Sequence, residues 1–352
     1  MNVIRAWFRR YFSDPQVVGL ALLLVSGVLA VLLLGRVLAP VIAGLVIAYV
    51  LDPSVQLLER HRVPHLLAVT LVFLGFSALI LFGLLAILPL LSRQLAQLVA
   101  LLPKMLASVQ ALLLELPERY PELIDKSRIV ELTNALQGQL LGLGQNALRY
   151  SVDSIANLLT IGVYLFLVPM LVFFFLKDKE RITHWFTRFL PDERGLVQKI
   201  WQEVDHKTGA YVRGKSYELA IIGVVTWLAF QLLGLDFAML LAVLTGLSVL
   251  IPYVGVVAVF LPVAAVAFFQ FGAGGEFLAV VGAYTVIQII DGNLLAPLLI
   301  SEVVDLHPIA VIAAILVFGG IWGFWGVFFA IPLATLAVAV LNAWPLGARE
   351  EA

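Results

Sequence analysis

The chain predicts an all-α polytopic membrane protein with about six spans, two re-entrant helical hairpins forming an inverted repeat, and an extracytoplasmic helical arm. Composition, a pair of broken apolar segments, and a long polar insert with coiled-coil spacing carry this expectation. Hydrophobic residues make up 62% of the 352 positions and charged residues 13%, which is too little polar surface to cover a water-soluble fold of this size. The lipid bilayer is therefore the expected surrounding. A net charge of -1 supplies no basic stripe, so no nucleic-acid partner is expected. With no cysteine in the chain, disulfides, thiolate metal sites and cysteine nucleophiles are excluded.

Apolar windows fall at 17–34, 37–51, 66–91, 152–176, 217–234 and 277–300, each long enough to cross or nearly cross a bilayer. The first follows Arg5, Arg9 and Arg10 but is too long for a signal peptide and leads straight into another apolar run, so it reads as a retained span. The second contains Pro40 and is expected to be tilted or broken. Lys177, Lys179, Arg181, Arg188 and Arg194 follow the fourth window closely, whereas Arg93 and Lys104 are the main basic residues after the third. The positive-inside rule then places both termini in the cytoplasm.

The hairpins are read from Phe237 to Phe269 and from Pro308 to Val340. Laid over one another, Leu235 falls on Leu306, Ala242 on Ala313 and Gly255 on Gly326. Ile251–Gly255 interrupts the first run and Gly319–Gly326 the second. An arm such as Phe237 to Leu250 reaches only roughly 20 Å, short of a hydrocarbon core of about 30 Å. Each run should therefore enter the membrane, turn and leave on the same side. With the span at 217–234 running outward and that at 277–300 inward, the two span-plus-hairpin units have opposite orientation, which is the pattern of alternating-access carriers.

The chain divides into membrane spans over 1–91, an arm over 92–151, a fourth span over 152–176, a cytoplasmic amphipathic segment over 177–215, a core over 216–344 and a cytoplasmic tail over 345–352. In the arm, Leu95, Leu98, Leu102, Met105, Val109, Leu112 and Leu116 repeat at alternating spacings of three and four, a coiled-coil seam. Beyond Pro117 and Pro121 a similar stripe continues through Ile129, Leu132, Leu136, Leu140, Leu143 and Ala147. The seam predicts packing on another subunit, and hence a homo-oligomer, with an intrachain helical hairpin as the alternative. Between 177 and 215, Trp185, Phe186, Phe189, Leu190, Leu196, Ile200, Trp201 and Val204 form an apolar stripe suited to the membrane interface.

Several motifs bear on chemistry. Residues 209–216 match the P-loop letters G-x-x-x-x-G-K-S, but no buried strand precedes them, and a phosphate cradle needs one. Tyr211, Arg213 and Lys215 are expected instead to anchor the cytoplasmic end of the following span. Gln288, Asp291, Gly292 and Asn293 lie inside an apolar run, where a carboxylate is costly and usually faces a cavity, a substrate or a proton path. A partner on a neighbouring helix is the plainer account of Asp291. The candidate substrate-binding residues are Gln288, Asp291 and Asn293, with Pro252, Tyr253 and Gly255 at one hairpin tip and Gly320, Trp322 and Gly323 at the other. The tip aromatics could equally fill space. His61, His65, His184, His206 and His307 show no metal-ligand spacing, and no nucleophile with a paired base can be assembled, so neither an enzyme nor a metal site is expected. His307-Pro308 reads as a helix start. No cofactor is called for, while coupling to protons or sodium is compatible with the pattern.

The stretches Phe173–Arg181, Tyr211–Gly214, Ile251–Gly255, Gln288–Pro297 and Leu306–Pro308, followed by the glycine-rich tip, resemble the autoinducer-2 exporter family of bacterial inner-membrane permeases, in the same order along the chain. That resemblance implies pentamers of independently working protomers, hairpins around a substrate site and an elevator-like movement. Ser301, Glu302, Asp305 and Lys215 depart from the wider pattern and leave the substrate open. The expected function is a secondary transporter exporting a small polar solute such as an autoinducer-2-like signal. The alternatives are a monovalent cation-proton antiporter and a non-transporting scaffold acting through the arm.

Overall fold

The first two apolar windows fold as one helix. In the computed structural model, which describes residues 15–119, 138, 142, 158–188, 195–252, 254–300 and 307–343, α1 runs unbroken over Pro15–Arg60 with Pro40 and Pro53 inside it. Each proline removes one backbone donor, a loss that packed membrane helices accommodate. At 1.5 Å per residue α1 is about 69 Å long, more than twice the thickness of a hydrocarbon core. Windows 17–34 and 37–51 are thus not two antiparallel spans, and the expectation of about six spans loses one.

After a turn at Arg62, whose φ is 65°, α2 (His65–Phe82) passes through a π-helical turn at Gly83–Ile87 into α3 (Leu88–Arg119). The third span and the arm are therefore one rod, with no break near residue 91. Along α3, Leu95, Leu98, Leu102, Met105 and Val109 are half-buried, while Gln97, Leu101, Lys104 and Ser108 are exposed, as the seam predicts. Within this chain Leu98 and Met105 pack against a cluster of Phe230, Leu235, Leu241, Val263 and Tyr284. Gln94 Oε1 accepts the Leu240 N–H at 2.8 Å. Part of the seam is thus met by the first hairpin of the same chain. The second stripe, Ile129 to Ala147, lies outside the described residues.

Helices α4 (Leu158–Lys177), α5 (Lys179–Thr187) and α6 (Gly195–Leu232) follow. Ala48, Val55, Ala68, Val69, Val172 and Leu176 form the core between α1, α2 and α4. Polar ties close one end of that core. Lys179 pairs with Asp52 at 2.8 Å, the His65 ring lies between Glu59 Oε1 at 2.5 Å and the Lys177 carbonyl at 3.1 Å, and the Tyr49 hydroxyl donates to Asp205. The charged stretch after the fourth window thus fastens α4 to α1 and α2.

The remaining elements are α7 (Ala238–Ser248), α8 (Val254–Phe271), α9 (Gly275–Ile290) with a π-helical turn at Asp291–Leu295, α10 (Ala296–Ile300), α11 (Pro308–Trp322), α12 (Phe324–Phe328) and α13 (Ala330–Ala343). His307 Nδ1 accepts the Ile309 N–H at 3.3 Å, so His307-Pro308 does start a helix. Both broken runs are helix-turn-helix units as expected. The arms of the first are unequal, because Pro262 lies inside α8 without ending it: α7 spans about 16 Å and α8 about 27 Å.

The two turns share one device. A Cβ on Gly255 would overlap the carbonyl oxygen of Ser248, and a Cβ on Gly326 that of Phe318. In each unit the second arm presses bare backbone onto the end of the first, so only glycine fits. Val37–Arg60, His65–Ala111, Val254–Phe271 and Gly275–Ile300 are apolar and long enough to cross a bilayer. Large apolar side chains such as Leu33, Leu85, Phe166 and Leu232 face outward. No strand occurs among the described residues. The chain is an all-helical, multi-pass membrane protein.

Candidate functional site

Residues 209–216 sit in the middle of α6. Their backbone N–H groups are spent on the helix, so none is left to cradle a phosphate. Gly209 and Gly214 serve packing: a Cβ on Gly214 would lie 2.5 Å from the Leu299 carbonyl oxygen, and one on Gly209 3.3 Å from the Tyr49 ring. Lys215 does not anchor an interface. It is only 6% exposed, and its Nζ donates to Glu218 Oε1 at 2.9 Å and to the Val249 carbonyl at 3.0 Å. The carbonyl comes from the C-terminal end of α7, where helix carbonyls lack intrahelical partners and the helix dipole favours a cation.

Around this pair lie further buried polar groups. Glu218 is 2% exposed and Asp291 6%. Glu218 Oε2, Asp291 Oδ1 and both amide atoms of Gln288 are buried with no hydrogen-bond partner among the described residues. Such groups are rare and costly to leave unsatisfied. Lys215 bears electrostatically on Asp291, and Asp291 on Glu218. Asp291 opens the π-helical turn that follows α9, about 24 Å along the helix from Gly275. Lys215 lies about 26 Å along α6 from Leu232, so α6 and α9 bring the ammonium and the carboxylate to a similar depth.

Below the pair an apolar floor draws on both broken units. Tyr211 and Val212 of α6, Leu250 from the first turn, Ile300, Val311, Phe328 and Ile331 form one buried cluster. The rings of Tyr211 and Phe328 meet edge to face, with centroids 6.2 Å apart. The Tyr284 hydroxyl donates to the Val256 carbonyl at 2.7 Å and so ties α9 to α8.

Gln288 and Asp291 are therefore buried polar groups close to the turn of the first unit. Pro252 is half-buried in that turn and Gly255 is buried beneath it, while Tyr253 lies outside the described residues. Asn293 is exposed and donates to its own helix at the Ile289 carbonyl, 2.8 Å away. Trp322 lies over Gly35 of α1 and stacks on Phe329, with centroids 6.2 Å apart. Gly323 supplies a φ of 60° at the second turn, and Gly320 is exposed. Glu218 and Lys215 are additions to the expected set. Glu218 stands just inside the window 217–234, so the rule that marks Asp291 as a costly carboxylate marks it too. The group offers an ammonium, two carboxylates, an amide and a helix-end carbonyl, a set suited to hydrogen-bonding a polar solute or passing a proton. No group of three potential metal ligands occurs among the described residues.

Bilayer-length apolar helices around a charged site at a helix break define a membrane transport protein. The chain belongs to the AI-2E transporter family, since the family described as AI-2E family transporter matches residues 20–346. It is 43% identical over 347 residues to "Putative permease PerM" of Escherichia coli (strain K12), an alignment covering 99% of this chain and 98% of that protein. "Putative transport protein YueF" and "Putative transport protein YrrI" of Bacillus subtilis (strain 168) are 27% and 26% identical, over 83% and 86% of this chain and 79% and 85% of their own lengths.

Proposed function

We propose that the protein is a secondary carrier that exports a small polar solute across the bacterial inner membrane by alternating access. In this reading the two broken units are re-entrant hairpins of an inverted repeat, they move as in an elevator, and the carrier works as a homo-oligomer, a pentamer by family likeness. The observation that supports it is the Lys215–Glu218–Asp291 group, buried where α7 breaks. Unpartnered acceptors at such a place are a substrate site in waiting, because half-helix ends at a break give transporters their ligands. A hydroxylated solute of the autoinducer-2 type would satisfy the free oxygens of Glu218 and Asp291 and the Gln288 amide.

The test is flux in reconstituted vesicles. Labelled solute should show counterflow without added ATP, and Asp291→Asn should lower the rate at least 10-fold with expression and oligomer size intact. Equal flux with Asn at 291, or a strict need for ATP, would sink the reading. One observation favours a second reading: Lys215 pairs with Glu218, while Asp291 is buried without an ion-pair partner among the described residues. The uncompensated carboxylate suits proton exchange, and a monovalent cation-proton antiporter would give cation-dependent pH changes in the same vesicles without solute counterflow.

Orientation is tested separately. Single cysteines at positions 62 and 273 should label from the cytoplasmic and extracytoplasmic sides respectively. Labelling of both from one side would remove the proposed entry of the first hairpin from outside.

A further inference from the structure

The Lys215 ammonium has the coordination of a bound cation. It touches a carboxylate, Glu218 Oε1 at 2.9 Å, and a backbone carbonyl, Val249 O at 3.0 Å. The carbonyl belongs to the C-terminal end of an 11-residue helix that stops inside the protein. Hard oxygen donors at the end of a broken helix are what carriers use to hold a coupling cation. Here a side chain of the same chain, tethered to α6, holds that place. Glu218 Oε2 remains buried and unpartnered on the same carboxylate, and Asp291 Oδ1 is buried and unpartnered beyond ion-pair distance, so the surroundings carry more acceptor capacity than the single ammonium uses.

We propose that the Lys215 ammonium is a built-in substitute for a monovalent metal cation, so that this chain closes the turn of its first hairpin without binding sodium, lithium or potassium. Removing the ammonium would leave the Glu218 carboxylate and the Val249 carbonyl facing a vacated, cation-sized place. Lys215 is then a specificity-determining residue: it fixes which ions the carrier ignores. The inference rests on the secondary-carrier reading for its meaning, but its test reads ion binding with no flux measured.

The experiment is thermal unfolding of the full-length protein in detergent, in choline chloride and in matched sodium, lithium or potassium chloride. The wild type should unfold at the same midpoint in all four salts. Lys215→Ala and Lys215→Gln should unfold earlier in choline, and sodium or lithium should raise their midpoints by about 5 °C at concentrations well above the dissociation constant. Adding Glu218→Gln to Lys215→Ala should abolish that response. A wild type stabilised by a metal cation as strongly as the variants would overturn the proposal, as would variants that fold but ignore every cation, or a response that survives Glu218→Gln. Should the single variants not fold in choline, extraction in sodium or lithium chloride should restore them, and failure in every salt would also overturn it. Absent solute flux in vesicles, with the melting pattern as expected, would sink the carrier reading and leave the ion substitution standing.

Discussion

Glu218→Gln is expected to have the largest effect of any single polar substitution in this chain. It keeps the side-chain volume and an amide oxygen but removes the negative charge, leaving the buried Lys215 ammonium with neutral acceptors only, that oxygen and the Val249 carbonyl. Removing one partner of a buried ion pair destabilises by about 3–5 kcal/mol, because the other charge stays desolvated. The thermal midpoint should fall well below that of the wild type, and transport should be lost even where protein is recovered. The double substitution Glu218→Gln with Lys215→Met removes both charges and should recover much of the midpoint but none of the flux. A single variant that unfolds at the wild-type midpoint would mean that the pair contributes little to the fold.

Gly255→Ala and Gly326→Ala are the second large pair. Each methyl would overlap a carbonyl oxygen of the opposing arm, an atom held by the helix that ends there. Overpacking commonly costs about 1–3 kcal/mol when side chains can yield, and backbone yields less readily. Both variants should show low yield in the membrane and a flux reduced more than 10-fold. Gly282 is the control: nothing lies within 4 Å of an added Cβ there, and alanine at this exposed helical position should leave stability equal or raise it by up to about 1 kcal/mol. Alanine tolerated at 255 as well as at 282 would show that the turns tolerate separation.

Much of this was legible because the deciding signals are local. A glycine in the middle of an apolar run marks a turn, and Gly255 and Gly326 lie at the two turns found. A carboxylate in an apolar run marks a place where burial must be offset, and Asp291 is buried at a π-helical turn. The misread features depend on residues far away in sequence. Lys215 looks like an interface anchor until the end of α7, 34 positions later, docks on it. Windows 17–34 and 37–51 count as separate spans by hydropathy, yet nothing between them stops a helix, and α1 continues through.

The carbonyl-on-glycine contacts have a mechanical corollary. Two helices joined through side chains can slide by changing rotamers, whereas α7 and α8 meet at Gly255 with no side chain to rearrange. If the proposed carrier motion holds, the unit moves as a stiff wedge, with bending left to the other end, where Gly234, Phe237 and Gly272 hold φ values of 67°, 57° and 69°. There Gln270 laces the Asp236 N–H and the Gly234 carbonyl together at 2.8 and 2.7 Å. A lever of this kind is arrested at its pivot rather than at its tip, and the pivot lies beside Gln94 of the arm.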